Sequence, residues 1–129
     1  KLSLNEGAFI VNDYQGKIES INVRGEYRTG DGEGNTVTKF VAHKGGVMPV
    51  QCQDLNLDSY MGEYLVVDIS AYDAATNGDL VLFSYRGVRN GKFDGGPENP
   101  ISQVTVIGAK ADLVYDDIGK QIKLTNIRY

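Results

Sequence analysis

The glycine-rich segment at residues 29–36 offers the clearest set of side chains for chemistry. Asp31 and Glu33 are two residues apart, and the glycines beside them let the backbone fold tightly around a hard cation. Calcium takes about six to eight oxygen ligands. The spacing departs from the EF-hand pattern, because Thr36 stands where the turn glycine belongs and Ala42 where the bidentate glutamate belongs. The segment is therefore either a calcium loop of another type or a solvated hairpin loop.

Acidic residues also gather in two later segments. Asp94 and Glu98 lie in a polar stretch, and the adjacent Asp116 and Asp117 repel each other unless a cation or Lys120 neutralises them. Ordinary solvated turns are the alternative interpretation of all these groups. We predict that at least one calcium site draws its carboxylates from six residues: Asp31, Glu33, Asp94, Glu98, Asp116 and Asp117.

Few side chains in the chain could carry catalysis, since it has one histidine, one cysteine and no tryptophan. His43 lies beside a Lys-Gly-Gly turn, where a lone histidine is usually solvated. Cys52 lies in an apolar stretch and is expected to be a buried small hydrophobic residue. A Ser-His-Asp triad needs a positioned nucleophile beside its base, and the sequence has no Gly-x-Ser-x-Gly motif. We therefore predict that the protein is not an enzyme.

The chain has eight tyrosines, whose polar aromatic side chains could bind a ligand. A tyrosine has an apolar face and a polar rim, so it can stack on a sugar ring. Tyr14, Tyr60 and Tyr72 fall in predicted turns and are the best candidates for such platforms. A carbohydrate-binding β-sandwich is therefore our alternative function, although the absence of tryptophan weighs against it.

The charge distribution limits the partners of the protein. The formal net charge is −4, and the 13 Lys and Arg residues are scattered singly along the chain. We therefore expect cations as partners and neither nucleic acid nor an anionic lipid surface. No apolar run reaches the roughly 18 residues of a membrane-spanning helix, so we expect no membrane span. Because the chain begins at Lys1, we expect either a removed export signal or a trimmed boundary, and we predict an extracellular location.

Hydrophobic residues recur at every second position, whereas no segment sustains a period of 3.6 residues. This pattern predicts one all-β domain over residues 1–129, built as a β-sandwich or jelly roll of about nine strands. The apolar strands at residues 65–69 and 79–85 are expected at the centre of the sheets. We predict a core that includes seven residues: Leu65, Val67, Ile69, Val81, Phe83, Val104 and Val106.

Proline and glycine residues mark the predicted edges and turns. Pro49 lacks an amide donor and places residues 47–53 at an edge or a bulge. The Asn77-Gly78 step favours a type I′ hairpin turn before the next strand. Residues 89–100 are rich in Gly and Pro and are predicted to be an exposed loop.

Residues 7–23 read GAFIVNDYQGKIESINV, an apolar strand followed by an Asn/Asp/Gly corner and a second strand. This stretch resembles the opening hairpin of β-sandwich subunits in archaeal and bacterial surface filaments, including the calcium-assembled cannula proteins of archaea. The resemblance covers residues 7–23, about an eighth of the chain. It implies an exported jelly-roll subunit that polymerises by lending an extended segment to its neighbour.

The N-terminal residues suggest a similar function on separate grounds. Their apolar side chains alternate ahead of the first core strand, and the edge of a sheet can accept such a segment through main-chain hydrogen bonds. A frayed terminus is the alternative. We predict an extracellular structural subunit that forms a homopolymer by strand exchange, assisted by calcium. Residues 1–6 would be the exchanged segment, with an interface formed by Lys1, Leu2, Ser3, Leu4 and Asn5.

Overall fold

The computed structural model describes residues 2–3, 7–12, 21–28, 36–57, 63–93 and 103–129. This part of the chain is mostly β-structure, so the predicted all-β class is confirmed. Its strands are β1 (Leu2–Ser3), β2 (Gly7–Asn12), β3 (Ile21–Arg28), β4 (Thr36–Val41), β5 (Val50–Asn56), β6 (Glu63–Asp68), β7 (Leu80–Tyr85), β8 (Arg89–Asn90), β9 (Gln103–Ile107), β10 (Lys110–Asp116) and β11 (Gln121–Arg128). The single short helix of the described residues is α1 (Ala74–Asn77). No helix among them is both long and apolar enough to cross a membrane.

The strands form two sheets. Sheet A has seven strands in the order β1-β3-β5-β7-β11-β10, with β8 beside β5. Sheet B has four strands in the order β2-β4-β6-β9. From β1 to β7, successive strands alternate between the two sheets, and each strand pairs with the next member of its own sheet in parallel.

This alternation makes the chain a coil. Thr36 pairs with Glu63 in sheet B and Ile21 pairs with Val50 in sheet A, so each sheet recurs after roughly 30 residues, a repeat length typical of solenoid proteins. The winding is that of a parallel β-solenoid. The nine-stranded sandwich or jelly roll is not confirmed, because those folds pair neighbouring strands antiparallel, whereas every pair in sheet B is parallel.

Antiparallel pairing begins at the C-terminal hairpin. β10 and β11 pair antiparallel, and β11 also pairs antiparallel with β7. The hairpin therefore replaces the next parallel strand of sheet A and ends its parallel run. Lys120, in the turn of this hairpin, has a positive φ of 57°.

The core lies between the sheets and takes residues from both. Phe40 of sheet B contacts Phe83 of sheet A edge to face, with ring centroids 5.3 Å apart, and Phe93 lies 5.6 Å from Phe83. All three rings are fully buried. The predicted core residues Leu65, Val67, Ile69 and Phe83 are fully buried, and Val104 and Val106 pack against them while partly exposed.

Val81 is the one predicted core residue that neither belongs to the core cluster nor packs against it. The register between β7 and β11 shifts, so that Ile122 pairs with Phe83 but Lys123 pairs with Val81. This irregularity skips Leu82, which is fully buried together with Phe83, while Val81 is half-buried. A strictly alternating pattern could not show the shift, because the strand pairing creates it.

Three predictions about edges and turns need correction. The segment after Pro49 is not an edge, because β5 lies between β3 and β7, but the register of β3 against β5 does shift between the pairs Val23↔Cys52 and Glu26↔Asp54. The step at Asn77 is not a hairpin turn, because it ends helix α1, whose first turn is capped by Asp73 accepting a hydrogen bond from the Thr76 amide at 3.2 Å. The expected exposed loop at residues 89–100 is wrong for residues 89–93, which start with β8 and include the buried Phe93, and residues 94–100 lie outside the described residues. The central positions predicted for residues 65–69 and 79–85 are confirmed by β6 and β7.

Candidate functional site

The edge strand β9 of sheet B has an unusual composition. Its sequence, Gln103–Ile107, contains no charged residue, proline or glycine. Within the described residues its partner is β6, from Tyr64↔Gln103 to Asp68↔Ile107. Proteins usually protect such edges with charges, prolines, bulges or very short strands. β9 carries none of these devices.

The hydrogen bonds of β9 show which peptide groups face outward. The Ile69 amide donates to the Ile107 carbonyl at 2.9 Å, so the peptide groups of Ile107 face β6. In a parallel strand, alternate residues turn their peptide groups to the same side. The amide and carbonyl groups of Val104 and Val106 therefore face the outer edge of sheet B, where a further strand can bind.

The opposite edge of sheet B is equally free of charge. It is β2, Gly7–Asn12, whose six residues pair in parallel with β4 from Gly7↔Thr36 to Asn12↔Val41. Within the described part of the chain, no strand pairs with the outer side of β2. All four strands of sheet B run in one direction. The strands β2 and β9 are therefore parallel and lie at opposite edges of the sheet.

The edges of sheet A differ. One edge is β1, which has two residues, and the other is β10, which carries Lys110, Asp112 and Asp116. A very short strand and a strand with charged side chains are two of the usual protections against edge-to-edge pairing. Sheet A is therefore protected at both described edges, and sheet B is not.

The turn at residues 116–117, a predicted calcium site, is held by Arg89. The Nε and Nη2 of Arg89 donate to the two carboxylate oxygens of Asp117 at 2.9 and 2.8 Å, and the Tyr85 hydroxyl donates to Oδ1 at 2.7 Å. The Arg89 guanidinium and then the Tyr85 hydroxyl lower the pKa of Asp117 to about 2. Burial and then Asp117 raise the pKa of Tyr85 to about 12. The charge of Asp117 is thus compensated within the chain.

A second ring completes this cluster. The Arg89 guanidinium carbon lies 4.6 Å from the ring centroid of Tyr115, and the Lys92 amino group lies 5.5 Å from the same centroid. The Tyr115 hydroxyl accepts a hydrogen bond from the Phe93 amide at 2.9 Å. These contacts join β8 to the C-terminal hairpin, so we assign the cluster a structural role.

Asp116 also has partners within its own hairpin. The Gly119 amide donates to Asp116 Oδ1 at 2.8 Å, and the Lys123 amino group lies 3.9 Å from Asp116 Oδ2. Lys120, which the sequence suggested as the neutralising residue, donates instead to the Arg86 carbonyl at 2.7 Å. Lys123 takes the role that sequence proximity had assigned to Lys120.

The other predicted site residues divide into two groups. Leu2 and Ser3 pair with Tyr27 and Arg28 in β3, so they form an edge strand of their own sheet. The remaining interface and calcium candidates lie outside the described residues: Lys1, Leu4, Asn5, Asp31, Glu33, Asp94 and Glu98. In the described ranges, no group of three or more His, Cys, Asp or Glu side chains is placed to hold a metal ion. The calcium site stays a prediction.

The structure changes the choice of exposed aromatic residues. Tyr72, predicted as a sugar platform, is 5% exposed, and its hydroxyl donates to the Gly78 carbonyl at 2.8 Å. Tyr14 and Tyr60 lie outside the described residues. Tyr129, which the sequence did not single out, is 68% exposed. Cys52 is buried as predicted.

Comparison with known proteins adds no family to this description. No protein-family model, no curated protein and no solved structure matches the chain.

Proposed function

We propose that the protein is a structural subunit that polymerises head to tail through the edges of sheet B. In this arrangement β9 of one copy pairs in parallel with β2 of the next copy. The observation that supports it is that both edges of a fully parallel sheet are uncharged strands. Because the two edges run in the same direction, each junction leaves one free edge at either end, and addition can continue.

The symmetry of this contact favours a filament over a closed dimer. The junction joins two different surfaces, β9 and β2, so it is heterologous. Heterologous contacts form rings when their rotation closes and open filaments when it does not. Because β9 and β2 are different strands that run in the same direction, each added copy presents the same free edge again, which favours the open form.

The size of the junction indicates how strongly the copies bind. β9 offers five residues and β2 offers six. A backbone hydrogen bond contributes about 0.5–1.5 kcal/mol net, whereas association costs roughly 4–15 kcal/mol in lost freedom. The hydrogen bonds of the paired strands therefore come close to offsetting the cost of association. Apolar contacts must add to the free energy of binding, and Ile107, which is 40% exposed, can make such a contact. We expect assembly above a threshold protein concentration.

This proposal revises the strand-exchange prediction in one respect. The sequence suggested that residues 1–6 pass to a neighbour, but Leu2 and Ser3 pair within sheet A of the same chain. The junction proposed here uses complete edge strands of sheet B and requires no exchange. Calcium assistance stays a prediction, which the polymerisation assay below includes, and the extracellular location stays a separate prediction.

A single amide tests the proposal. Val106→Pro removes a donor that faces the free edge while leaving the peptide groups that face β6 in place. Val106→Ala is the matched control, because it loses a similar amount of side-chain packing and keeps the amide. Polymer formation is followed by sedimentation velocity and negative-stain electron microscopy, with calcium or a chelator, after circular dichroism has shown that both variants are folded.

We expect wild type and Val106→Ala to form polymers and Val106→Pro to remain monomeric. Polymers of unchanged length from folded Val106→Pro would show that β9 is not the junction. A wild-type protein that stays monomeric at every concentration and calcium level would contradict the proposed function itself.

A further inference from the structure

An open groove of about 620 Å³ lies at the end of the C-terminal hairpin, on sheet A. It is lined by Ala109, Lys110, Arg128 and Tyr129. Two cationic side chains and one aromatic ring thus share one groove. The protein as a whole carries a net charge of −4, so this local excess of positive charge runs against the general balance.

A bulge in β11 brings the two cations together. Lys110 pairs with Arg128, but the next pair is Asp112 with Thr125, so the register shifts between them. Asn126 lies in this irregularity with a positive φ of 50°. Bulges with such strained residues often redirect a side chain beside a functional site. Here the result is a cross-strand pair of like charges, which is destabilising by itself.

One carboxylate offsets part of this charge. Arg128 Nη1 lies 3.7 Å from Asp112 Oδ1, and it also donates to the Asn126 carbonyl at 2.8 Å. Asn126 Nδ2 in turn donates to Asp112 Oδ2 at 3.1 Å. The side chains of Lys110, Arg128 and Asp112 together carry one net positive charge beside the groove. A single anionic group would neutralise it.

The aromatic ring of the groove is fixed as well as exposed. Tyr129 is 68% exposed, yet its hydroxyl donates to the Tyr72 carbonyl and lies 3.4 Å from the Ile69 carbonyl. These contacts anchor the far end of the side chain on the protein. An anchored ring loses little conformational freedom when a ligand stacks on its face, and this is what a sugar-binding aromatic residue requires.

We propose that this groove binds uronic acid units of an acidic polysaccharide. The pyranose ring stacks on Tyr129, and its carboxylate lies between Lys110 and Arg128. The alternative function of carbohydrate binding thereby gains an anionic ligand, and its binding site consists of residues that the sequence analysis did not single out. It does not require polymerisation, because none of the groove residues lies in β9 or β2, the strands of the proposed junction.

The test is titration calorimetry with polygalacturonate at low and physiological salt. Dextran serves as the neutral polysaccharide, and acetate as the carboxylate without a sugar ring. The variants are Tyr129→Phe, Tyr129→Ala and the double substitution of Lys110→Gln with Arg128→Gln. Lys123→Gln is the matched control, since it removes a positive charge from the same strand outside the groove.

We expect polygalacturonate to bind wild type and Lys123→Gln, with no binding of dextran or acetate in the same concentration range. Tyr129→Ala should weaken binding roughly three- to tenfold, the range of an aromatic contact, and Tyr129→Phe should weaken it less. The double glutamine variant should abolish binding. The proposal is overturned if polygalacturonate does not bind, or if it binds equally to the double variant. Binding that Tyr129→Ala leaves unchanged would also overturn it, because simple attraction between charges would then explain the interaction.

Discussion

Truncation of Phe83 to alanine is expected to be among the most damaging changes to the fold. Its side chain is fully buried where the two sheets meet, between Phe40 and Phe93. Phenylalanine-to-alanine changes in protein cores cost about 3–5 kcal/mol. We expect the upper half of this range, because β7 is paired on both sides and cannot move in to close the cavity.

The size of this loss can be compared with the total stability. A domain of this kind has a free energy of unfolding of about 5–15 kcal/mol. With a urea dependence of about 2 kcal/mol per molar, a loss of 4 kcal/mol lowers the unfolding midpoint by roughly 2 M. Urea unfolding followed by circular dichroism measures this shift directly, since the signal comes from the strands themselves.

Val81→Ala is the matched control, since it truncates a half-buried residue on the same strand outside the core. We expect it to cost about 1 kcal/mol or less, from the smaller apolar area removed. The reasoning fails if Phe83→Ala costs no more than Val81→Ala. That result would mean that the two sheets do not share one core at this position.

Two further predictions concern the ion pair at the C-terminal hairpin and the backbone at two glycines. Because the pKa of Asp117 is about 2 in the folded protein and about 3.9 in an unfolded chain, its pairing with Arg89 stabilises the fold fully above about pH 5; this contribution is lost as the pH falls through the range from about 4 to 2. Asp117→Asn should therefore flatten the acid limb of the free energy of unfolding measured by urea titration, and an unchanged limb would contradict this. Gly108→Ala should lower the thermal unfolding midpoint more than Gly78→Ala. Both glycines have a positive φ, of 95° and 74°. A Cβ atom at Gly108 would lie 2.6 Å from a backbone atom of Ser70, whereas a Cβ atom at Gly78 would have no such neighbour within 4 Å. Equal losses in the two alanine variants would show that backbone strain alone limits both positions.

The strand content and much of the core follow from the sequence alone. Leu65, Val67 and Ile69 alternate with partly exposed residues, and all three are fully buried. Alternation is a local property of the strand, because successive side chains point to opposite faces whichever strand lies beside it. Alternation alone was not enough to predict the burial of Val81, because the register of β7 against β11 shifts there.

The pairing of the strands and the contacts between distant side chains cannot be read from the sequence and depend on the tertiary structure. The hydrophobic pattern of a strand is the same whether its neighbour is parallel or antiparallel, so it could not distinguish a jelly roll from a coil of parallel strands. Arg89 and Asp117 are far apart in sequence, and no spacing rule links them; the same holds for Tyr129 and the carbonyl of Tyr72. Within the described residues, the unpaired edges of sheet B likewise follow from strand order alone, which depends on contacts between distant segments of the chain.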